Sequence, residues 1–168
     1  MLAPALLVLV FAPMLVEARR SARHDRLLRA AGAVEPAGDV YAAMQVAYPL
    51  AFLLPIAEAW LRHRSVTLLT VTGFGVFVLA KALKYWAIAT LGQRWTFRVL
   101  VPPASERTIA GPYRVLRHPN YVAVFGELVA IALMAQAPIS GPLAIAGFTA
   151  LMLMRIRVEE RALGLGRG

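Results

Sequence analysis

Cysteine is absent from all 168 residues, which excludes disulfides, thiolate metal ligands and a cysteine nucleophile. That absence leaves the redox compartment undetermined. Histidine is scarce, and His24, His63 and His118 lie far apart without zinc-like spacing, so no metal site is expected. Acidic charge is also short: nine Asp and Glu face eighteen Lys and Arg, for a net charge of +9. An excess of this kind can mark a nucleic-acid binder. Here the basic residues punctuate apolar runs instead of forming a stripe with interleaved aromatics, so no nucleic-acid partner is expected. No internal repeat or low-complexity tract is visible, and the length is that of one domain covering residues 1–168.

What the chain has in abundance is apolar surface. Its hydrophobic content is 60% and its mean hydropathy +0.64, above the roughly 45–50% of soluble domains. The composition is that of an integral membrane protein. Apolar stretches run from about Leu2 to Val16, Val40 to Trp60, Val66 to Leu91, Tyr121 to Ala137 and Ile139 to Met154. A spanning helix needs roughly 20 apolar residues, within a range of about 17–25. The second and third qualify; the others are short. The expected architecture is therefore all-α and polytopic, with about five transmembrane helices. Pro138, Ser140, Gly141 and Pro142 make the last two a C-terminal helical hairpin. Pro4 and Pro13 are expected to kink the first stretch. Without a positive n-region or a small-residue cleavage site, it is expected to be a retained helix, not a signal peptide.

Five spans place sixteen of the eighteen Lys and Arg on one side and leave only Arg62 and Arg64 opposite. The positive-inside rule then puts the N-terminus outside and the C-terminus in the cytoplasm. Lys81 and Lys84 are read as snorkelling residues, and Trp86 and Trp95 as interfacial anchors. Gly73 and Gly75 suggest a close helix contact, and Glu58 beside Arg62 a structural ion pair. Arg19 to Arg29 suit orientation and contact with anionic membrane lipid. Residues 24–38 are weakly amphipathic, either an interfacial helix or a connector. Residues 92–120 carry prolines, aromatics and arginines and are expected to form a structured cytoplasmic cap.

Within that cap, the run from Gly111 to Tyr121 (GPYRVLRHPNY) sets ionisable side chains at the mouth of an apolar run. Such a cluster is costly where water is scarce and is a functional-site candidate. Pro119 suits a first helical turn, and the free N–H groups beyond it favour an anion. Arg114 and Arg117 add positive charge and bidentate donors; Tyr113 and Tyr121 add flat faces and hydroxyls. A simple structural cap remains an alternative for His118. The second cluster, RIRVEER from Arg155 to Arg161, places Arg155 one turn before Glu159. Glu159 and Glu160 suit an ammonium, a sulfonium or a ribose hydroxyl pair. Cationic and anionic halves together suit a zwitterionic ligand such as S-adenosylmethionine.

The two runs, GPYRVLRHPNYVAVFGE and RIRVEERAL, resemble the isoprenylcysteine carboxyl methyltransferase family and its bacterial membrane-bound members. The family pattern is roughly Gly-x-Tyr-x-x-x-Arg-His-Pro-x-Tyr, a helical hairpin, then Arg-x-x-x-Glu-Glu-x-x-Leu. Gly111, Tyr113, Arg117, His118, Pro119 and Tyr121 meet the first half, and Arg155, Glu159, Glu160 and Leu163 the second. Residues 91–163 are the motif-bearing core. The resemblance implies S-adenosylmethionine as cofactor, in a cytoplasmic pocket touched by Tyr113, Arg117, His118, Pro119, Tyr121 and Glu159 or Glu160. It implies that Arg155 orders the Glu pair or faces the acceptor. It also implies methyl transfer, with O-methylation favoured, to the carboxylate or acidic hydroxyl of a lipophilic acceptor at a bacterial inner membrane.

Eukaryotic members methylate a prenylated C-terminal cysteine. The RHPNYVAV variant resembles bacterial members associated with long-chain alkylpyrones or alkylresorcinols. An ionised carboxylate or enol needs no base; a phenol would benefit from one, with His118 or Glu127 available. Two alternatives differ in class: a non-enzymatic binder of anionic lipid head groups, for which the Glu pair has no use, and a nicotinamide-dependent membrane reductase of related helical architecture, whose members are much longer.

Overall fold

The computed structural model describes residues 2–103 and 108–162. Five helices make up the bundle: α1 (Leu2–Ala30), α2 (Tyr41–Leu61), α3 (Leu68–Leu91), α4 (Pro119–Met134) and α5 (Ser140–Ala162). Single 3₁₀ turns occupy Gly92–Arg94 and Gly111–Arg114. No strand forms among the described residues; one isolated antiparallel bridge joins Val34 and Val101. Helices α1, α2, α3 and α5 are long and apolar enough to cross a membrane. The fourth has 16 residues, about 24 Å at 1.5 Å per residue, which is short of a roughly 30 Å hydrocarbon core.

Local chemistry sets several boundaries. Thr67 and Thr70 form a reciprocal capping box at the start of α3, and Gly92, with φ +56°, ends it. Between α4 and α5 the chain reverses in a turn containing Gln136 at φ +49°. The turn is anchored by the Gln136 amide, which donates to the Ser65 carbonyl at 2.8 Å. Glu58, near the end of α2, accepts from the Ser140 N–H at 2.8 Å and hydroxyl at 2.6 Å. A carboxylate thus sits at the N-terminus of α5, where the helix dipole favours it. Arg62 pairs with Glu58 at 2.9 Å, as expected.

Helices consecutive in the chain run antiparallel, around a core that includes Leu6, Phe52, Ile56, Leu128, Ile131, Met134, Phe148 and Met152. The closest approach is between α3 and α4. A Cβ on Gly73 would lie 2.8 Å from the Met134 backbone nitrogen and 2.9 Å from the Ala130 carbonyl oxygen. Gly73 therefore makes the close helix contact expected of it, while Gly75 faces open space. The ends of α1, α3 and α5 and the starts of α2 and α4 share one end of the bundle.

Several expectations need correction. The first helix does not stop at Val16 but continues to Ala30, so His24 and its neighbours belong to α1. Trp95 is 3% exposed and packed against Phe97, so it is no interfacial anchor; Trp86, at 56%, remains exposed. Lys81 and Lys84 do not snorkel. Lys84 is 1% exposed and its Nζ lies 2.7 Å from Glu17 and 3.3 Å from Glu127. Lys81 pairs with the same two carboxylates at 2.8 and 3.1 Å. The Tyr48 hydroxyl accepts from Lys84 at 2.9 Å and donates to Glu127 at 3.0 Å. Two cations and two anions thereby close a neutral cluster joining α1, α2, α3 and α4. Isolated charges could not persist at such burial.

Candidate functional site

The segment after α3 is pinned to α1. His24 Nδ1 lies 2.8 Å from the Trp95 carbonyl, and the Phe97 N–H donates to Ser21 Oγ at 2.6 Å. Arg98 then reaches across, donating to both carboxylate oxygens of Glu35 at 2.9 and 3.2 Å and stacking over the Tyr41 ring at 4.2 Å. Burial raises the Glu35 carboxyl, but bonds from Arg29 and Arg98 outweigh it and hold its pKa below the ordinary value. Residues 95–101 so form a strap across the end of the bundle.

Beneath the strap the two sequence clusters meet. Pro119 begins α4 and is fully buried, and His118 sits at the cap position without a side-chain cap bond. Its Nε2 lies 3.2 Å from Glu160 and its Nδ1 4.0 Å from Glu159. The helix-cap reading of His118 is thereby replaced by a contact with α5. Arg117 also reaches Glu160, at 3.3 Å, from an exposed position. In the first turn of α4, Tyr121 donates to Glu159 at 2.9 Å and accepts from Arg155 Nε at 3.0 Å. Arg155 is 5% exposed; a second donor bonds the Phe97 carbonyl, and Nη1 lies 3.7 Å from Asp39. Arg155, Tyr121 and Glu159 thus form a hydrogen-bonded chain. Gly111, at φ +54° and packed on Thr90, sets the turn that presents Tyr113. Burial first, and the Glu159 charge second, push the Tyr113 phenol above its ordinary pKa.

A cavity of about 120 Å³ is lined by residues that include Arg94, Trp95, Tyr113, His118, Tyr121 and Glu159. A second, of about 570 Å³, lies between α1, α2, α4 and α5, walled by Phe11, Met14, Leu15, Val124, Phe148 and Met152. The second falls within the roughly 300–1,000 Å³ of small-molecule sites, the first below it. Thr96, Arg98, Asn120, Tyr121 and Arg155 line both.

Of the residues singled out in the sequence, Tyr113, His118, Tyr121, Arg155 and Glu159 come together at the smaller cavity. Arg117, Pro119 and Glu160 support it from behind without lining it. Arg114 is exposed, and Leu163 lies outside the described residues. Glu127 does not join the cluster: it lines neither cavity and is held in the neutral quartet. Asp39, Thr96 and Asn120 were missed, and Arg98 was counted only as an orienting charge. Asp39 carried a faint signal, an acid immediately before an apolar run.

The model of the isoprenylcysteine carboxyl methyltransferase family matches residues 71–164, more than half the sequence. The chain belongs to that family. Uncharacterized protein YpbQ of Bacillus subtilis is 30% identical over 84% of this chain and 84% of its own length. An uncharacterized protein of Haemophilus influenzae is 24% identical over 85% of this chain and 84% of its own. No solved structure matches. The match begins at Val71, early in α3, so α3, the strap, both motifs and the hairpin are family elements; α1 and α2 precede them. Membership places the chain among membrane methyltransferases, in accord with its apolar helices.

Proposed function

We propose that the protein transfers a methyl group from S-adenosylmethionine to an oxygen of a lipophilic acceptor, at the cytoplasmic face of the membrane. The observation that carries this is the chain Arg155–Tyr121–Glu159 between a small cavity of mixed polarity and a large, mainly apolar one. The donor set fits the cofactor: Glu159 is a carboxylate for its sulfonium or ammonium, and Tyr113 a flat face for adenine. His118, with Arg117 behind it, anchors Glu160 so that Glu159 keeps its place on the next position of α5. When bound, the cofactor would supply an electrophilic methyl group on its sulfonium.

The remaining contributions come from the chain. Phe11, Met14, Leu15, Phe148 and Met152 offer a dry wall for an alkyl or prenyl tail, admitted sideways between helices. Arg155, at the wall common to both cavities, offers positive charge to the acceptor's oxygen and orients it. An acceptor that arrives as an anion leaves no proton to remove. Among the described residues every arginine except Arg62 and Arg64 lies toward this end, which supports a cytoplasmic site.

The deciding experiment is equilibrium binding of S-adenosylhomocysteine to detergent-purified protein, with NADPH as control. Saturable binding that NADPH does not displace is expected. Its loss in His118→Ala and in the double variant Glu159→Gln, Glu160→Gln is also expected. Absence of binding by folded wild-type protein would remove the methyltransferase mechanism and favour a head-group binder.

A further inference from the structure

Helix α1 has two contrasting faces. Leu6, Val10, Glu17, Ser21, His24 and Leu28 are buried against the rest of the bundle. At 3.6 residues per turn, Arg19, Arg23 and Arg26 share a sector of about 60° on the opposite side, and all three are exposed. The same stripe continues toward the N-terminus through Val16, Leu15 and Val8, which are 60%, 59% and 69% exposed. One half of the stripe is apolar and the other cationic.

Orientation in a membrane needs positive charge at one end of the bundle, not its collection on one helix face. Several other arginines at this end are engaged by carboxylates: Arg29 by Asp25 and Glu35, Arg98 by Glu35, and Arg117 by Glu160. Among the described residues, no hydrogen bond or ion pair engages Arg19, Arg20, Arg23 or Arg26. The acidic residues of α1 lie off this face, Glu17 buried and Asp25 bonded to Arg29. Arg19 and Arg23, four apart, and Arg23 and Arg26, three apart, repel one another and disfavour the helix unless an anion joins them. Leu2 to Val16 spans about 21 Å at 1.5 Å per residue, short of a roughly 30 Å hydrocarbon core. Arg19 therefore stands at the edge of that core, where its stem can lift the guanidinium to the lipid phosphates. Guanidinium and phosphate meet through paired donors, and the apolar half of the stripe runs where the chains of the same lipid lie. A nucleic acid or a soluble acidic protein has no use for that half.

We propose that the outer face of α1 is a binding site for an anionic phospholipid, which steadies the strap through the opposite face. Arg19, Arg23 and Arg26 hold the phosphate, and Val8, Leu15 and Val16 lie along the chains. The link to the strap follows from the bonds on the far side of the same turns. Ser21 Oγ accepts from the Phe97 N–H at 2.6 Å, and His24 Nδ1 lies 2.8 Å from the Trp95 carbonyl. Both anchors are interleaved with the arginines, so fraying of this stretch releases both. The broader expectation for Arg19 to Arg29 is thereby narrowed, because Arg29 belongs to the strap. This lipid is a ligand of the fold and not the acceptor of a methyl group, and the site does not depend on the proposed reaction.

The test places the full-length protein in nanodiscs of phosphatidylcholine, with or without phosphatidylglycerol, and reads the melting temperature and the hydrogen exchange of the Phe97 amide. Phosphatidylglycerol should raise the first by about 5 °C or more and slow the second by about threefold or more. The triple variant Arg19→Gln, Arg23→Gln, Arg26→Gln should lose both responses. The control triple Arg114→Gln, Arg157→Gln, Arg161→Gln, which removes the same number of charges from the same end, should keep them. If the α1 triple fails to fold, Arg23→Gln alone, central on the face, should lose about half of the thermal shift. A full response in the folded α1 variant would leave these arginines to orientation alone and overturn the site, as would an equal loss in the control. Inorganic phosphate reproducing the shift in detergent would overturn the lipid as occupant. A thermal shift with unchanged Phe97 exchange would overturn the link to the strap.

Discussion

Buried ionisable side chains carry the sharpest consequences at the scale of single residues. Glu127 neutralises two ammonium groups, so Glu127→Gln leaves an uncompensated charge among α1, α3 and α4. Removing one partner of a buried ion pair costs roughly 3–5 kcal/mol. A matching fall in stability is expected in unfolding titrations, with much of it regained when Lys84→Met is added to restore neutrality. Affinity for S-adenosylhomocysteine should hold in both variants, because Glu127 lines neither cavity. A selective loss of that affinity in a stable Glu127→Gln variant would return Glu127 to the active site. None of this pairing was legible beforehand. Glu17, Lys81, Lys84 and Glu127 are scattered over more than a hundred positions, and only the packing of three helices makes them neighbours.

Elements respond to contacts that tolerate no added atoms. Gly73→Leu would drive a side chain into the backbone of α4 at Ala130 and Met134, and overpacking of this kind costs about 1–3 kcal/mol or more. Lower thermal stability is expected, whereas Gly75→Leu, facing open space, should be neutral. The strap has its own signature. Glu35 ionises below the ordinary carboxylate pKa, so its pairing with Arg29 and Arg98 contributes fully above an unfolded value of about 4.3. That contribution fades as pH falls through the lower folded value. Melting curves of Glu35→Gln and wild type should therefore differ above about pH 5 and converge toward pH 3.

For the molecule as a whole, orientation is the open question with the cleanest answer. A chain without cysteine accepts single reporters directly. Ala37, exposed between α1 and α2, lies at the site end, and Ser65, exposed before α3, at the opposite end. In intact cells an impermeant maleimide should label Ser65→Cys and reach Ala37→Cys only after lysis. The reverse pattern would move the site to the outer face. The large apolar cavity and the smaller one beside it share a wall close to that surface. A lipid tail and a water-soluble cofactor can therefore approach from different phases.

The membrane class, the hairpin and the two motif clusters were legible because they depend on local quantities: apolar run length, prolines at turns, and charges spaced by one helical turn. Even so, polarity placed the end of α1 too early. Arg19, Arg20, Arg23 and Arg26 look like a terminus, yet α1 continues to Ala30, with His24 and Ser21 bonded to the strap. Helix geometry alone puts Arg155 and Glu159 on one face, but only the antiparallel return of α5 beside α4 brings them to Tyr121 and His118. Sequence determines which groups must be satisfied; the fold determines which remain available to a ligand.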